Sequence, residues 1–274
     1  MSTNLTATIV TDTLYFNRGG FPAVDSTTFP ACAWNSSTLY SPLNQPFQLF
    51  PGDQLALTVI NTDTAAHSFV IKGLAIPSLL IAALGTANDT FSFATAGIYI
   101  YYDSLDASLY SYLGAAGMIA IEPKQPDGRF FWNFHEFSKQ WNIAADSGIT
   151  PGWNNFDPDY FTVNGSSYPF IDDDSTAKVT GATGDTIFIH CANTGLSVHS
   201  VHFHGYHCRV VFSSKDSIQV NWYKDSFPLW PGETAILEIV PDKPGLFPVH
   251  DHNLMAQTGN RYYNHGMMLI MKIQ

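Results

Sequence analysis

The chain contains the same segment twice. Residues Gly52–Gly73, GDQLALTVINTDTAAHSFVIKG, lie without a gap over Gly184–Gly205, GDTIFIHCANTGLSVHSVHFHG, at a constant offset of 132. Seven of the 22 positions are identical, and apolar character matches at several others. A second block, AGIYIYYDSL, lies over PGLFPVHDHN at an offset of 148, with Gly97 on Gly245 and Asp103 on Asp251. Each copy then reaches a Gly-Met pair, Gly117-Met118 and Gly266-Met267. An internal duplication requires one fold used twice. It divides the 274 residues into 1–123 and 129–274, with the turn-forming Lys124–Gly128 (KQPDG) as the joint.

Within each half the apolar residues fall in short runs separated by turn signals such as Phe50-Pro51-Gly52-Asp53 and Asp242-Lys243-Pro244-Gly245. That spacing predicts short strands stacked into a β-sandwich or barrel, with chemistry held on strand ends and loops. No long segment has helical periodicity, so little helix is expected. The stretch Tyr99–Tyr102 reads as a buried strand, and the run Met267, Met268 and Met271 reads as core strand.

Seven of the ten histidines lie between His199 and His265. Four of them form two His-x-His pairs, His202-Phe203-His204 and His250-Asp251-His252. On a strand, residues i and i+2 point to the same face, so each pair offers two imidazoles side by side. Neutral imidazole is the commonest protein ligand for copper, zinc and iron, and four imidazoles suffice for one such ion. Asp251 must then point to the opposite face, into the domain interior, where it needs a partner. A hydrogen bond to His199 would supply one; a second metal held by His199, Asp251 and His265 is the alternative. His135 and His190 read as structural.

Only 12 Lys and Arg stand against 23 Asp and Glu, a net charge of −11, which excludes nucleic acid and anionic membranes as natural partners. No apolar run approaches the ~20 residues of a membrane-spanning helix. The start, MSTNLTATIV, has neither a basic nor an apolar segment of a secretory signal. Three cysteines allow one disulfide, with Cys191 and Cys208 as a conceivable pair. The scarcity of Lys and the Asn/Thr/Ser-rich texture point to a periplasmic or secreted protein.

The sequence HSVHFHG, followed about 45 residues later by PGLFPVHDH, resembles the last cupredoxin domain of multicopper oxidases, which pairs HPxHLHG with PGxxxxHCH. FFWNFHEF with DPDYFTVNG resembles the opening of such a domain, so the likeness covers 129–274. The first half resembles a cupredoxin domain only through the duplication. The resemblance implies an all-β chain of two cupredoxin-like Greek-key sandwiches. Two-domain relatives include small laccases and copper nitrite reductases, which implies a homotrimer with metal between neighbouring subunits.

In the family, the two pairs of the last domain supply half of the ligands of a trinuclear copper cluster. Here they are His202, His204, His250 and His252. The other half comes from the first domain, where this chain has Val70, Lys72, Tyr102 and Ser104. A full cluster is therefore not expected. The family's blue copper takes a His, the Cys of HCH, a second His and an axial Met. His199 and Met267 match, but the Cys is Asp251 and the second His falls on Tyr262, with His265 nearby; His207 follows the motif where laccases often carry a further His. A hard carboxylate cannot replace the soft thiolate, so no blue copper is expected. The first-half equivalents are His67, Asp103 and Met118, again with Asp for Cys.

The reading that results is a copper-binding oxidoreductase of multicopper-oxidase type acting on a small molecule or oxygen, with zinc as the other candidate metal. The alternative is a non-catalytic metal-binding or storage protein of the cell envelope. In a trimer, Tyr102 and Lys72 of the next subunit, together with His207, would stand just outside the metal ligands.

Overall fold

The computed structural model describes residues 7–106, 111–149, 152, 156–215 and 217–274. The first half holds β1 (Ile9–Pro22), β2 (Thr28–Asn35), β3 (Phe47–Leu49), β4 (Gln54–Asn61), β5 (His67–Ile71), β6 (Leu79–Ile81), β7 (Thr86–Ser92), β8 (Gly97–Tyr102) and β9 (Ala116–Ile121). They form two facing sheets, β2-β1-β4-β7 and β3-β9-β8-β5-β6. Every second residue of β4 is buried, the period-2 signature of a strand with one face on a core.

The second half repeats the plan with β10 (Gly128–Phe137), β11 (Tyr160–Val163), β12 (Thr180–Gly181), β13 (Ile187–Asn193), β14 (His199–Phe203), β15 (Cys208–Ser213), β16 (Tyr223–Lys224), β17 (Ser226–Leu229), β18 (Thr234–Ile239), β19 (Gly245–Asp251), β20 (Thr258–Gly259), β21 (Tyr262–Tyr263) and β22 (Met268–Ile273). Its sheets run β16-β15-β18-β13-β10-β11-β20-β21 and β12-β22-β19-β14-β17. The pairings of the first half recur one for one. Parallel β1–β4 returns as β10–β13, and antiparallel β5–β8 as β14–β19. Even the register is kept: Val70 faces Tyr102, and at the repeat offsets His202 faces His250.

Each sandwich has its own apolar core, the first around Leu14, Trp34, Phe69 and Tyr101, the second around Trp132, Phe188-flanking Ile189, Phe203 and Leu237. A third cluster joins the halves. Ile98, Ile100, Met118 and Ala120 on the outer face of the first half's five-stranded sheet pack on Phe131, Phe188, Ala192 and Ile236. The seam is not a clean cut at the joint: helix α1 (Lys139–Asp146) lays Trp141 and Ala145 into the first half's core. Phe137 and Tyr160 pack against Phe21 and Phe29 of the β1–β2 hairpin. Cys32, Cys191 and Cys208 are all free and buried, so the conceivable Cys191–Cys208 disulfide is not formed. No helix among the described residues is long and apolar enough to cross a membrane.

Candidate metal centre

Strand alternation sorts the residues of both His-x-His pairs. Phe203 is buried and stacks on Trp132 at 5.5 Å between ring centroids, and Asp251 is buried as well. These inward side chains fix the registers, so the flanking imidazoles must face outward. His202 and His250 are half-buried, while His204 and His252 are exposed. Because His202 lies directly opposite His250, the four rings meet on one patch at the end of the five-stranded sheet. Their centroids are 4.9 Å apart for 202–204, 5.5 Å for 202–250, 5.1 Å for 202–252 and 204–250, and 6.1 Å for 250–252. His204 Nε2 and His250 Nε2 share a hydrogen bond of 3.0 Å. Desolvation and the three neighbouring rings lower the His204 pKa from its ordinary value.

Whether this patch fits a metal is a question of nitrogen spacing. Two nitrogens each about 2.0–2.1 Å from one ion, at square or tetrahedral angles, are about 2.9–3.4 Å apart. The 3.0 Å between His204 and His250 is within that range, so an ion can take the place of the proton they share. Among the described residues no three His, Cys, Asp or Glu side chains already converge as a formed metal site. The His202 and His252 rings stand 5.1 Å apart beside the His204–His250 pair, and the exposed His252 can turn towards it at little cost.

The position of the family's blue copper is filled differently. His199 is fully buried, its Nδ1 2.6 Å from Asp251 Oδ2 and its Nε2 3.0 Å from Glu136 Oε2. Both ring nitrogens are spent on carboxylates, so no lone pair is left for an ion. Burial alone would lower the His199 pKa, but the hydrogen bonds to Asp251 and Glu136 outweigh it and raise the value to about 9. Burial opposes ionisation of Glu136 too, and the hydrogen bond from His199 overcomes it, bringing Glu136 down to about 2. His199 is thus held between two buried carboxylates. The arrangement of His199, Asp251, His265 and Met267 around a second ion is not formed: Met267 is buried beside this group and His265 is half-buried on a separate turn.

Glu136 was the residue sequence reading missed. Its remaining oxygen accepts the backbone N–H groups of Leu196 at 2.6 Å and Ser197 at 2.5 Å. The signal was present in the repeat. In the first half, His67 Nδ1 is 2.6 Å from Asp103 and Nε2 is 3.1 Å from Asp63. At offset 132 the counterpart of Asp63 is Gly195, and a Cβ on Gly195 would overlap Glu136 Oε2. The counterpart of Glu136 follows from the parallel registers, in which Phe16 faces Asn61 and Phe134 faces Asn193. Two residues further on, Arg18 matches Glu136. Arg18 binds the loop carboxylate Asp63, whereas Glu136 supplies the carboxylate itself. Both halves therefore hold a carboxylate–imidazole–carboxylate bridge, built from different positions.

Other sequence expectations fall out as follows. Lys72 donates from Nζ to Gly232 O at 2.9 Å, on the loop beyond the Leu229 end of β17. Its ammonium is thus engaged at the seam of its own chain. Tyr102 packs at the rim of the same seam, and His207 is exposed on the turn after β14. Tyr262 is 65% exposed. His135 is buried, 2.9 Å from Tyr112 O, and His190 is buried, 3.1 Å from Phe130 O, so both are structural.

Residues 142–274 match the multicopper oxidase family. Among curated proteins no sequence matches the chain. Solved structures do match in fold. A blue copper oxidase from Nitrosomonas europaea superposes with a TM-score of 0.81 at 21% identity, over 97% of this chain and 86% of that one. A multicopper oxidase, mgLAC, gives 0.81 at 19% identity over 98% and 87%. The copper-containing nitrite reductase of Thermus scotoductus gives 0.77 at 17% identity over 98% and 62%. The chain shares its two-domain cupredoxin-like fold with multicopper oxidases and copper nitrite reductases, and its residues 142–274 carry the sequence pattern of the multicopper oxidase family.

Proposed function

We propose that the chain binds one copper ion at His202, His204, His250 and His252 and serves as an oxidoreductase without a blue copper centre. The observation that carries this reading is the 3.0 Å approach of His204 Nε2 and His250 Nε2 on a patch where two further imidazoles lie within reach. A bound copper would supply one-electron chemistry to a small substrate or to oxygen. The chain's own residues orient the ligands: Phe203 and Asp251, locked inward, hold each pair on the outer face. Four imidazoles suit copper and zinc alike, and at a given nitrogen site copper(II) binds more tightly than zinc, which is the competitor. The family resemblance and the composition support a periplasmic or secreted site of action.

A homotrimer is part of the proposal. Ile98 and Ile100 of the first half are buried under the second half, whereas of their repeat counterparts Leu246 is 68% exposed and Pro248 is half-buried. A second copy covering that strip would also close the metal patch. Sedimentation giving only monomers at micromolar concentration, with and without copper, would remove it.

Titration of copper into wild type and a His202→Ala/His252→Ala double variant tests the site. The expected result is one ion per chain in the wild type and a loss of binding in the variant. Equal affinity and stoichiometry would refute the assignment. The storage reading is supported by the carboxylate-bridged His67 and His199, the residues aligned with a blue-copper histidine of the family. Oxygen consumption by the loaded protein with reducing substrates separates the two.

A further inference from the structure

Accepting the four-histidine reading, we propose that Asp225 and Ser226 are positioning residues that fix the tautomer of His202 and so select Nε2 as its metal-binding atom. His202 Nδ1 lies 2.9 Å from Ser226 Oγ, and Ser226 Oγ donates to Asp225 Oδ1 at 3.1 Å. An ionised carboxylate only accepts, so the serine proton is committed to Asp225. The oxygen of Ser226 is then left to accept, and His202 must donate to it from Nδ1–H. The proton on Nδ1 leaves the lone pair on Nε2, on the side of the ring facing the other imidazoles. If Nδ1 were bare, the serine would have to abandon Asp225.

Two further observations agree. The Nδ1 side of His250 faces the carbonyl oxygen of Asp251 at 2.9 Å, which can only accept and to which the buried Gln257 Nε2 also donates at 2.9 Å, leaving His250 Nε2 to meet His204. The first half provides the contrast. There β5 pairs β6 as His67–Ile81, Ser68–Leu80 and Phe69–Leu79, the counterpart of His199–Leu229, Ser200–Pro228 and Val201–Phe227. One step further, Ser226 corresponds to Ser78 and Asp225 to Pro77, while His202 corresponds to Val70. The carboxylate occurs only in the half that has an imidazole to orient. Partners of this kind typically alter metal affinity by about 10–100-fold.

The test uses the full chain and copper(II) alone, with affinity from a competing chelator and the EPR spectrum of the bound ion. Ser226→Ala and Asp225→Asn are expected to weaken binding about 10-fold and to change the copper hyperfine pattern. Ser226→Thr, which keeps the hydroxyl on a strand position, is expected to restore both. His202→Ala serves as the reference for losing the ligand itself. Wild-type affinity and spectrum in Ser226→Ala, with binding weakened in His202→Ala, would overturn the relay and leave the site standing. Failure of Ser226→Thr to recover above Ser226→Ala would also overturn it. Unchanged binding in His202→Ala would overturn the four-histidine reading, and the relay with it.

Discussion

The two halves meet the same requirement from opposite directions. In the first, the second carboxylate on the buried histidine comes from the loop, Asp63, four residues before His67, and Arg18 on β1 braces it from outside. In the second, the loop position is Gly195, and Glu136 on β10 reaches across 63 residues of chain to fill the same space. The strand position is Arg in the first half and Glu in the second, and the loop position is Asp in the first and Gly in the second, yet a carboxylate bridges the imidazole in both. The two bridges also differ in depth. Asp63 has a side chain 9% exposed and an Arg18 partner 34% exposed, whereas Glu136, His199 and Asp251 are closed from water.

The largest expected effect follows from that depth. Glu136→Ala leaves a buried imidazolium with one carboxylate and two unpaired backbone N–H groups, and should destabilise by about 3–5 kcal/mol in urea unfolding. Combining Glu136→Arg with Gly195→Asp transplants the first half's arrangement and should recover part of that loss. If the double variant is no more stable than Glu136→Arg alone, the two bridges are not equivalent.

The pH dependence comes next. His199 has its folded value raised from 6.5 to about 9, so its contribution is full below about 6.5 and is lost as pH rises through 9. Glu136 is lowered from 4.5 to about 2, so its contribution is full above about 4.5 and is lost as pH falls through 2. Stability should therefore be flat between about pH 4.5 and 6.5 and decline towards pH 9 by on the order of 3 kcal/mol. The alkaline decline should shrink in Glu136→Gln; an unchanged slope there would mean His199 is not the group responsible.

Asp63→Asn should cost less, about 1–2 kcal/mol, because the first bridge lies nearer water and a neutral amide can still accept from His67. A loss equal to that of Glu136→Ala would erase the proposed contrast in depth. Smallest of all, Lys72→Ala removes one exposed hydrogen bond across the seam and should shift stability by no more than about 0.5 kcal/mol.

Much of this was legible in the sequence. The gap-free repeat carried the fold, because side-chain period and turn chemistry survive duplication even when few residues stay identical. The outward facing of His202, His204, His250 and His252 and the inward facing of Asp251 followed from strand alternation, whereas the contact of Asp251 with His199 was one of two readings the sequence left open. Glu136 was not legible, since its partner is 63 residues away and strand sequence says nothing about what crosses the sandwich. Its burial beside Phe134 and Phe137, and the Gly195 that makes room for it, are tertiary facts. Lys72 escaped for a similar reason: alignment gives its position in the strand, but only packing of the halves shows the ammonium turned to Gly232.

On the proposed reading copper is held on the second domain's outer face, while the buried His67 and His199 are each bridged by two carboxylates. Metal content per chain of copper-loaded protein, read with its visible and EPR spectra, tests it most directly. The account predicts one copper per chain with nitrogen hyperfine structure and no intense thiolate-to-copper band. Three coppers per chain, an intense visible thiolate band, or no copper bound at all would contradict it.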